Sequence, residues 1–364
     1  MHYFMPADVW EETDAVRHHP EAFQKAGHHA LIVTGKHSSR ANGSLDDVVK
    51  TLKKCGIPVS VFDAVTENPP VGVIMEAASE GKREGVDFVI GIGGGSPMDA
   101  AKAVALMIAH PDRDASYLYE KGQDASHLPL VLIPTTCGTG SEVTPVSVLT
   151  RTTAAGKMKG SIPYKIFADT ALIDGKYLAF APDRVIRNTA VDALAHLWES
   201  ALNRDATTYS VMVAEAGLHA WRDNRALLKK ESPSLTDDER LRLMHASALA
   251  GMAIAQTGTS IPHALSYTAT TDAGFAHGRA VGYFQAGYLA AADEDTRKNL
   301  LRAAGFSSLQ AYEDFFREVC GEEKLPAEIL EKAVDAVMHT PAKLEKAPFQ
   351  VDRETLRKIA FFMD

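Results

Sequence analysis

Four side chains in the second half of the chain have the types and surroundings of a metal site. In DALAH, Asp192 and His196 are four residues apart and so share one face of a helix, a turn apart. Their neighbours Val191, Ala193, Leu194, Ala195 and Leu197 are apolar, which puts that face inside the protein, where a carboxylate and an imidazole need partners. For this pair alone, a buried Asp–His hydrogen bond without a metal serves equally well. His263, in TSIPHALSY, and His277, in AGFAHGRA, stand beside Pro262 and Gly278, hence near helix ends or turns, and both sit among small residues. One histidine in apolar surroundings is usually structural; three together with an aspartate are better explained by a cation. The set Asp192, His196, His263 and His277 contains no thiolate, so it suits Fe2+, Zn2+, Co2+ or Ni2+. Among the remaining histidines, His18, His19, His28 and His29 lie in a polar N-terminal region, and His219 and His245 sit in helical stretches without matching acids.

The first half offers a different chemistry. GIGGGSPMDAAK places Gly93, Gly94 and Gly95 ahead of a helix start, with Ser96 as expected N-cap, Pro97 in the first turn and Asp99 just after it. Backbone N–H groups of such a run can approach an anion with no side chain in the way, and the helix dipole favours negative charge there. The pattern is neither G-x-G-x-x-G nor a P-loop, and a tight turn without a ligand is the plain alternative. A second loop, IPTTCGTGSEVT, brings Thr135, Thr136 and Thr139, whose hydroxyls could meet phosphate or ribose oxygens or simply satisfy their own turn. Two such loops at neighbouring strand ends suit a dinucleotide, which is long enough to need both. The loop after LIVT bears on which one. It holds Gly35, Lys36, His37, Ser38, Ser39 and Arg40, with no acid to repel a 2′-phosphate, and so favours NADP over NAD; a solvated basic turn would look the same. Lys157 is also placed among the cofactor contacts.

Elements that could position these groups follow from the hydrophobic pattern. LIVTG, IPVSVF, DFVIGIG, LPLVLIPTT and IFADTALID read as strands. Between them, Leu45, Val48, Val49 and Leu52 line one helical face behind a Ser44/Asp47 capping box, and Asn68-Pro69-Pro70 opens another helix that Gly85 closes. Alternating strands and helices mean an α/β fold with a parallel sheet and helices on both faces, whose ligands sit at the carboxyl ends of the strands. From Asp183 onward the strand pattern gives way to long helical stretches rich in alanine and leucine. The expected division is therefore residues 1–178, an α/β dinucleotide-binding domain, and residues 179–364, an all-helical metal-binding domain.

Bulk properties narrow the partners. With 38 basic and 47 acidic residues in 364, the net charge of −9 disfavours a nucleic-acid backbone. No segment reaches the ~20 apolar residues needed to span a bilayer. The opening MHYFMPADVWEETD lacks the basic-then-apolar order of a secretion signal. Three cysteines, Cys55, Cys137 and Cys320, fit a reducing cytoplasm better than a disulfide framework.

GGGSPMDAAK, IPTTCGTGSEVT, DALAH and the His263/His277 pair occur in the order seen in iron-containing (group III) alcohol dehydrogenases, and FDAVTENP and GMAIAQTGTSIPHAL are similar to that family as well. The resemblance, closest to the propanediol or butanol dehydrogenase branch, runs from Ala30 to Leu289; beyond it the chain matches only in helical character. It implies an interdomain active site in which Gly94, Gly95 and Ser96 hold the pyrophosphate and Thr135, Thr136 and Thr139 line the cleft. Asp192, His196, His263 and His277 would bind Fe2+, or Zn2+ in its place. The implied reaction is hydride transfer between nicotinamide C4 and a primary alcohol or aldehyde, in a homodimer or larger even assembly. Two departures stand out. Many members carry a histidine four residues after the third ligand, where this chain has Tyr267, and NAD-preferring members carry an aspartate where Gly35 stands. The rival expectations are a zinc-dependent polyol (glycerol-type) dehydrogenase, a dehydroquinate-synthase-like lyase and a non-catalytic metal- and nucleotide-binding protein.

Overall fold

Six parallel strands form the sheet of the first half: β1 (Asp8–Glu11), β2 (Ala30–Thr34), β3 (Val59–Phe62), β4 (Phe88–Gly93), β5 (Leu130–Pro134) and β8 (Thr170–Ile173), in the order β1-β8-β5-β4-β2-β3. A separate antiparallel ribbon joins β6 (Val148–Thr153) to β7 (Gly156–Ser161). The structure is a computed structural model that describes residues 2–153 and 156–363; the side chains of Thr153 and Lys157 lie outside that description, and with the latter the expectation for Lys157. Every residue of β2, β4, β5 and β8 is buried, as a parallel sheet covered on both faces requires. Alternate residues feed opposite layers: Leu31, Val33, Val89 and Leu132 join one core, Ala30, Ile32, Ile90 and Ile133 the other.

Helix α1 (Ser44–Lys54) covers one face, and α2 (Val71–Glu84) and α3 (Gly95–Ala109) the other. The chain leaves β2 toward β3 on one side and returns to β4 on the other. That reversal opens a crevice at the carboxyl ends of β2 and β4, where the loops beginning at Gly35 and Gly94 lie.

Two local expectations fail for physical reasons. The capping box at Ser44 does not form: Gly43, in the left-handed region at φ 80°, precedes the helix, and Asp47 is taken by Arg17 (2.7 Å), Lys176 (2.9 Å) and the Tyr177 hydroxyl (3.1 Å). Nor does Ser96 cap α3. That helix begins at Gly95, and the Ser96 hydroxyl accepts from the Asn68 N–H at 3.1 Å. Strand β1 and the β6–β7 ribbon have no counterpart in the expected elements.

The second half is helical, from α4 (Asp183–Ala201) through α5 (Thr208–Asn224), α6 (Asp237–Thr257), α7 (Ile261–Ala273) and α8 (His277–Tyr283) to the end. Helix α4 is its axis: residues 190 to 200 are buried on all sides. Among the described residues, no helix is long and apolar enough to cross a membrane. Glycines let the two halves meet closely. A Cβ on Gly140 would lie 2.5 Å from the Gly251 Cα of α6, and one on Gly138 would lie 2.4 Å from the Thr189 carbonyl of α4.

Candidate metal and cofactor site

The helical half brings the four expected ligands to one carboxylate oxygen. Asp192 Oδ1 lies 3.5 Å from His263 Nε2, 3.8 Å from His277 Nε2 and 4.0 Å from His196 Nε2. Asp192 and His196 come from successive turns of α4, His263 from the first turn of α7 and His277 from the first residue of α8. Gly278 makes the last placement possible, because a Cβ there would meet the Asn188 carbonyl oxygen of α4 at 1.9 Å. The ligand atoms of Asp192, His196 and His263 all lie within 4.8 Å of one another, spacing that a single ion can bridge. The His196 and His263 rings stack at 4.5 Å, while the His277 side chain is 29% exposed and forms the open side.

Two buried atoms facing the centre, Asp192 Oδ1 and His263 Nε2, have no hydrogen-bond partner. Unpaired polar atoms in a dry interior are costly unless something else satisfies them, and a divalent cation would do so here. Charge agrees with this. Burial opposes ionisation of Asp192, but His196, His277 and His263 outweigh it and hold the carboxyl well below the usual range. Burial pushes His277 down to about 3 and lowers His196, so both are neutral and able to ligate. For His263 burial is outweighed by Glu199 and Asp192, which raise it to about 9, and a cation would take the place of that proton.

Behind the centre sit residues that the sequence reading passed over. Glu199, seven residues after Asp192 and fully buried, accepts from His263 Nδ1 at 2.6 Å, from the Ser260 N–H at 2.6 Å and from Gln285 Nε2 at 2.8 Å. His196 Nδ1 donates across to the Gly138 carbonyl at 3.2 Å, a bond from the helical half to the loop after β5. The i, i+4, i+7 spacing of Asp192, His196 and Glu199 was a visible signal for the first of these.

In the first half, the glycine run and the hydroxyl loop touch. A Cβ on Gly94 would come 3.2 Å from Thr136, and one on Gly95 3.0 Å from Thr139, so these glycines open a cradle against the threonines. The Thr136 hydroxyl is buried without a partner, as suits a phosphate or ribose contact, and the Thr135 N–H donates to the Gly93 carbonyl at 2.9 Å. Asp99 faces elsewhere. It accepts from the Ser141 hydroxyl (2.6 Å) and the Val148 N–H (2.9 Å), clamping α3 to the second loop beside the buried Lys102.

In the first loop Lys36 and Ser38 are exposed beside Gly35, Ser39 is fully buried, and Arg40 pairs with Asp63 at 2.7 Å. Tyr267 lies under a lysine not anticipated from the sequence: Lys159 Nζ, on β7, stands 5.9 Å from the ring centroid. Burial lowers the pKa of Lys159, while the negative charges of Asp99, Asp192 and Glu67 pull it back up. Burial pushes the Tyr267 phenol up to about 12, which makes it a neutral donor.

The model of the iron-containing alcohol dehydrogenases matches residues 6–175, and that of the family's C-terminal region matches residues 186–360. This chain belongs to the iron-containing alcohol dehydrogenase family. The second match carries the likeness well past Leu289, where the sequence reading saw helical character alone. An iron-containing alcohol dehydrogenase of Thermotoga maritima is 34% identical, with a TM-score of 0.89 over 100% of this chain and 99% of that one. A long-chain alcohol dehydrogenase of Geobacillus thermodenitrificans is 32% identical over 71% of this chain and 65% of its own length. For a long-chain primary alcohol dehydrogenase of Thermoanaerobacter ethanolicus the figures are 35%, 71% and 64%. The chain thus spans just under two thirds of these curated relatives. Membership in the iron-containing family implies a divalent metal and a nicotinamide nucleotide, and the orphaned ligand atoms and the glycine cradle fit both.

Proposed function

We propose that this chain is a metal-dependent, NAD(P)-linked alcohol dehydrogenase that also runs as an aldehyde reductase. The observation that carries the reading is the convergence of His196, His263 and His277 on Asp192 Oδ1, joined through the His196–Gly138 bond to the loop that packs on an open glycine cradle. Asp192, His196, His263 and His277 would hold Fe2+, or Zn2+ in its place, and Gly93, Gly94, Gly95 and Ser96 the pyrophosphate. Bound there, the ion would supply Lewis acidity toward an alcohol or aldehyde oxygen and the nicotinamide a hydride-exchanging carbon.

The protein's own share is positioning and exclusion of water. Thr135, Thr136 and Thr139 orient the dinucleotide, and Lys159 supports the end nearest the metal. Tyr267 walls the pocket and donates a hydrogen bond. With Gly35 in place of an acid and Lys36 and Ser38 exposed beside it, NADP(H) is the preferred coenzyme. The functional division falls at 178/179, and the working form is a cytoplasmic homodimer or larger even assembly.

An anaerobic panel of aldehydes, run with NADH and NADPH after loading Fe2+ or Zn2+, tests the reading. The expected result is metal-dependent NADPH oxidation with at least one primary aldehyde. No turnover anywhere in the panel, by protein shown to bind both metal and nucleotide, would overturn it.

A further inference from the structure

The three histidines are backed in three different ways. His263 Nδ1 meets a buried carboxylate, Glu199 Oε1, at 2.6 Å, and that carboxylate is itself fixed by the Ser260 N–H and by Gln285. His196 Nδ1 meets a neutral carbonyl, that of Gly138, at the longer distance of 3.2 Å. His277 Nδ1 is buried and has no hydrogen-bond partner among the described residues. In the first two cases the acceptor can only accept, so Nδ1 keeps its proton and Nε2 is the nitrogen left for the centre. Nothing comparable sets the tautomer or the ring angle of His277, and His277 is also the exposed member of the set.

From this asymmetry we propose that Glu199 is a positioning residue that makes His263 the anchoring ligand, with His277 the ligand most easily given up. The inference rests on the metal reading above and goes beyond it, because it ranks ligands which that reading treats alike. A charge-assisted hydrogen bond to the far nitrogen raises the donor strength of an imidazole and holds its plane, and loss of such a partner commonly weakens metal affinity ~10–100-fold. The packing around Glu199 suits that task. Tyr288 donates to the Ser260 hydroxyl at 3.0 Å, so the residue whose N–H holds Glu199 is itself held. The consequence is a centre with a rigid side, Asp192, His196 and His263, and a yielding side at His277 facing the cleft.

The test is the affinity of the apo-protein for Co2+ and Zn2+, by competition with a chromophoric chelator, together with the visible spectrum of the Co2+ form. Wild type, Glu199→Gln, His263→Ala and His277→Ala are compared. Glu199→Gln should bind ~10–100-fold more weakly and shift the Co2+ bands, since it keeps the shape but loses the charge. His263→Ala should lose more affinity than His277→Ala. A Glu199→Gln protein with affinity within about twofold of wild type and an unchanged spectrum would overturn the role of Glu199. Equal losses in the two histidine variants would overturn the ranking, and that comparison stands even where Glu199→Gln fails to fold. If the wild type bound no Co2+ at all, the metal reading itself would fall.

Discussion

The two walls of the proposed site would solve the same problem, holding a charged guest, by opposite means. The cradle at Gly93 to Ser96 is made of backbone, contiguous in sequence, and works because side chains are absent. The proposed metal wall is made of side chains from three helices, with Glu199 holding the His263 ring and Gly138 the His196 ring, while Gly278 seats only the backbone that carries His277. A backbone site tolerates changes around it and fails when a Cβ is added to it. A side-chain site fails when any of its supports is removed, near or far.

That contrast can be broken in order of expected effect. His263→Ala should cost several kcal/mol of transition-state stabilisation, at least ~10³-fold in kcat, while NADPH affinity by fluorescence titration stays within about twofold. If NADPH binding fell equally, the walls would not be separate. Gly95→Val should do the reverse. Its side chain meets Thr139, and dinucleotide affinity should fall ~10–100-fold with Co2+ affinity unchanged. Gly278→Ala places a Cβ against the Asn188 carbonyl and should cost about 1–3 kcal/mol in urea unfolding. It should also weaken Co2+ binding, because α8 carries His277; intact metal binding at lowered stability would show that the close seat does not position the ligand.

The smallest effect concerns the loop between the walls. Burial raises Glu142 there to about 7, against the pull of its backbone bond and Lys102. A carboxyl whose folded value lies above its unfolded value, ~4.3, binds its proton more tightly in the native state. Stability from this group therefore falls as pH rises from about 4.3 to about 7. Glu142→Gln should flatten that part of the stability profile measured by chemical unfolding at a series of pH values. A slope equal to wild type would assign the window to other groups.

How much of this was legible in the sequence follows the same contrast. The cradle announced itself because its residues are neighbours, and Asp192 and His196 because a polar pair one turn apart in an apolar helix asks for partners. Strand β1 was not legible. DVWE offers one aliphatic residue, and it is a strand because β8 supplies its bonds. The β6–β7 ribbon, with Lys159 on it, hides in a polar stretch whose strand character comes from pairing. Asp47 looked like a cap because spacing alone was visible, and the cations that claim it, Arg17 and Lys176, come from distant positions. Glu199 lay on the expected face yet passed as ordinary helix polarity, since burial cannot be read from a residue type.

The His196–Gly138 bond joins both walls. Gly138 offers its carbonyl to His196 from within the segment that carries Thr135, Thr136 and Thr139, the proposed coenzyme contacts. A shift of that segment would move the acceptor behind His196, a small coupling on the scale of the roughly twofold limit expected for NADPH affinity. Thermodynamic reciprocity then fixes the exchange: whatever factor the nucleotide adds to ion retention, the ion returns to nucleotide retention.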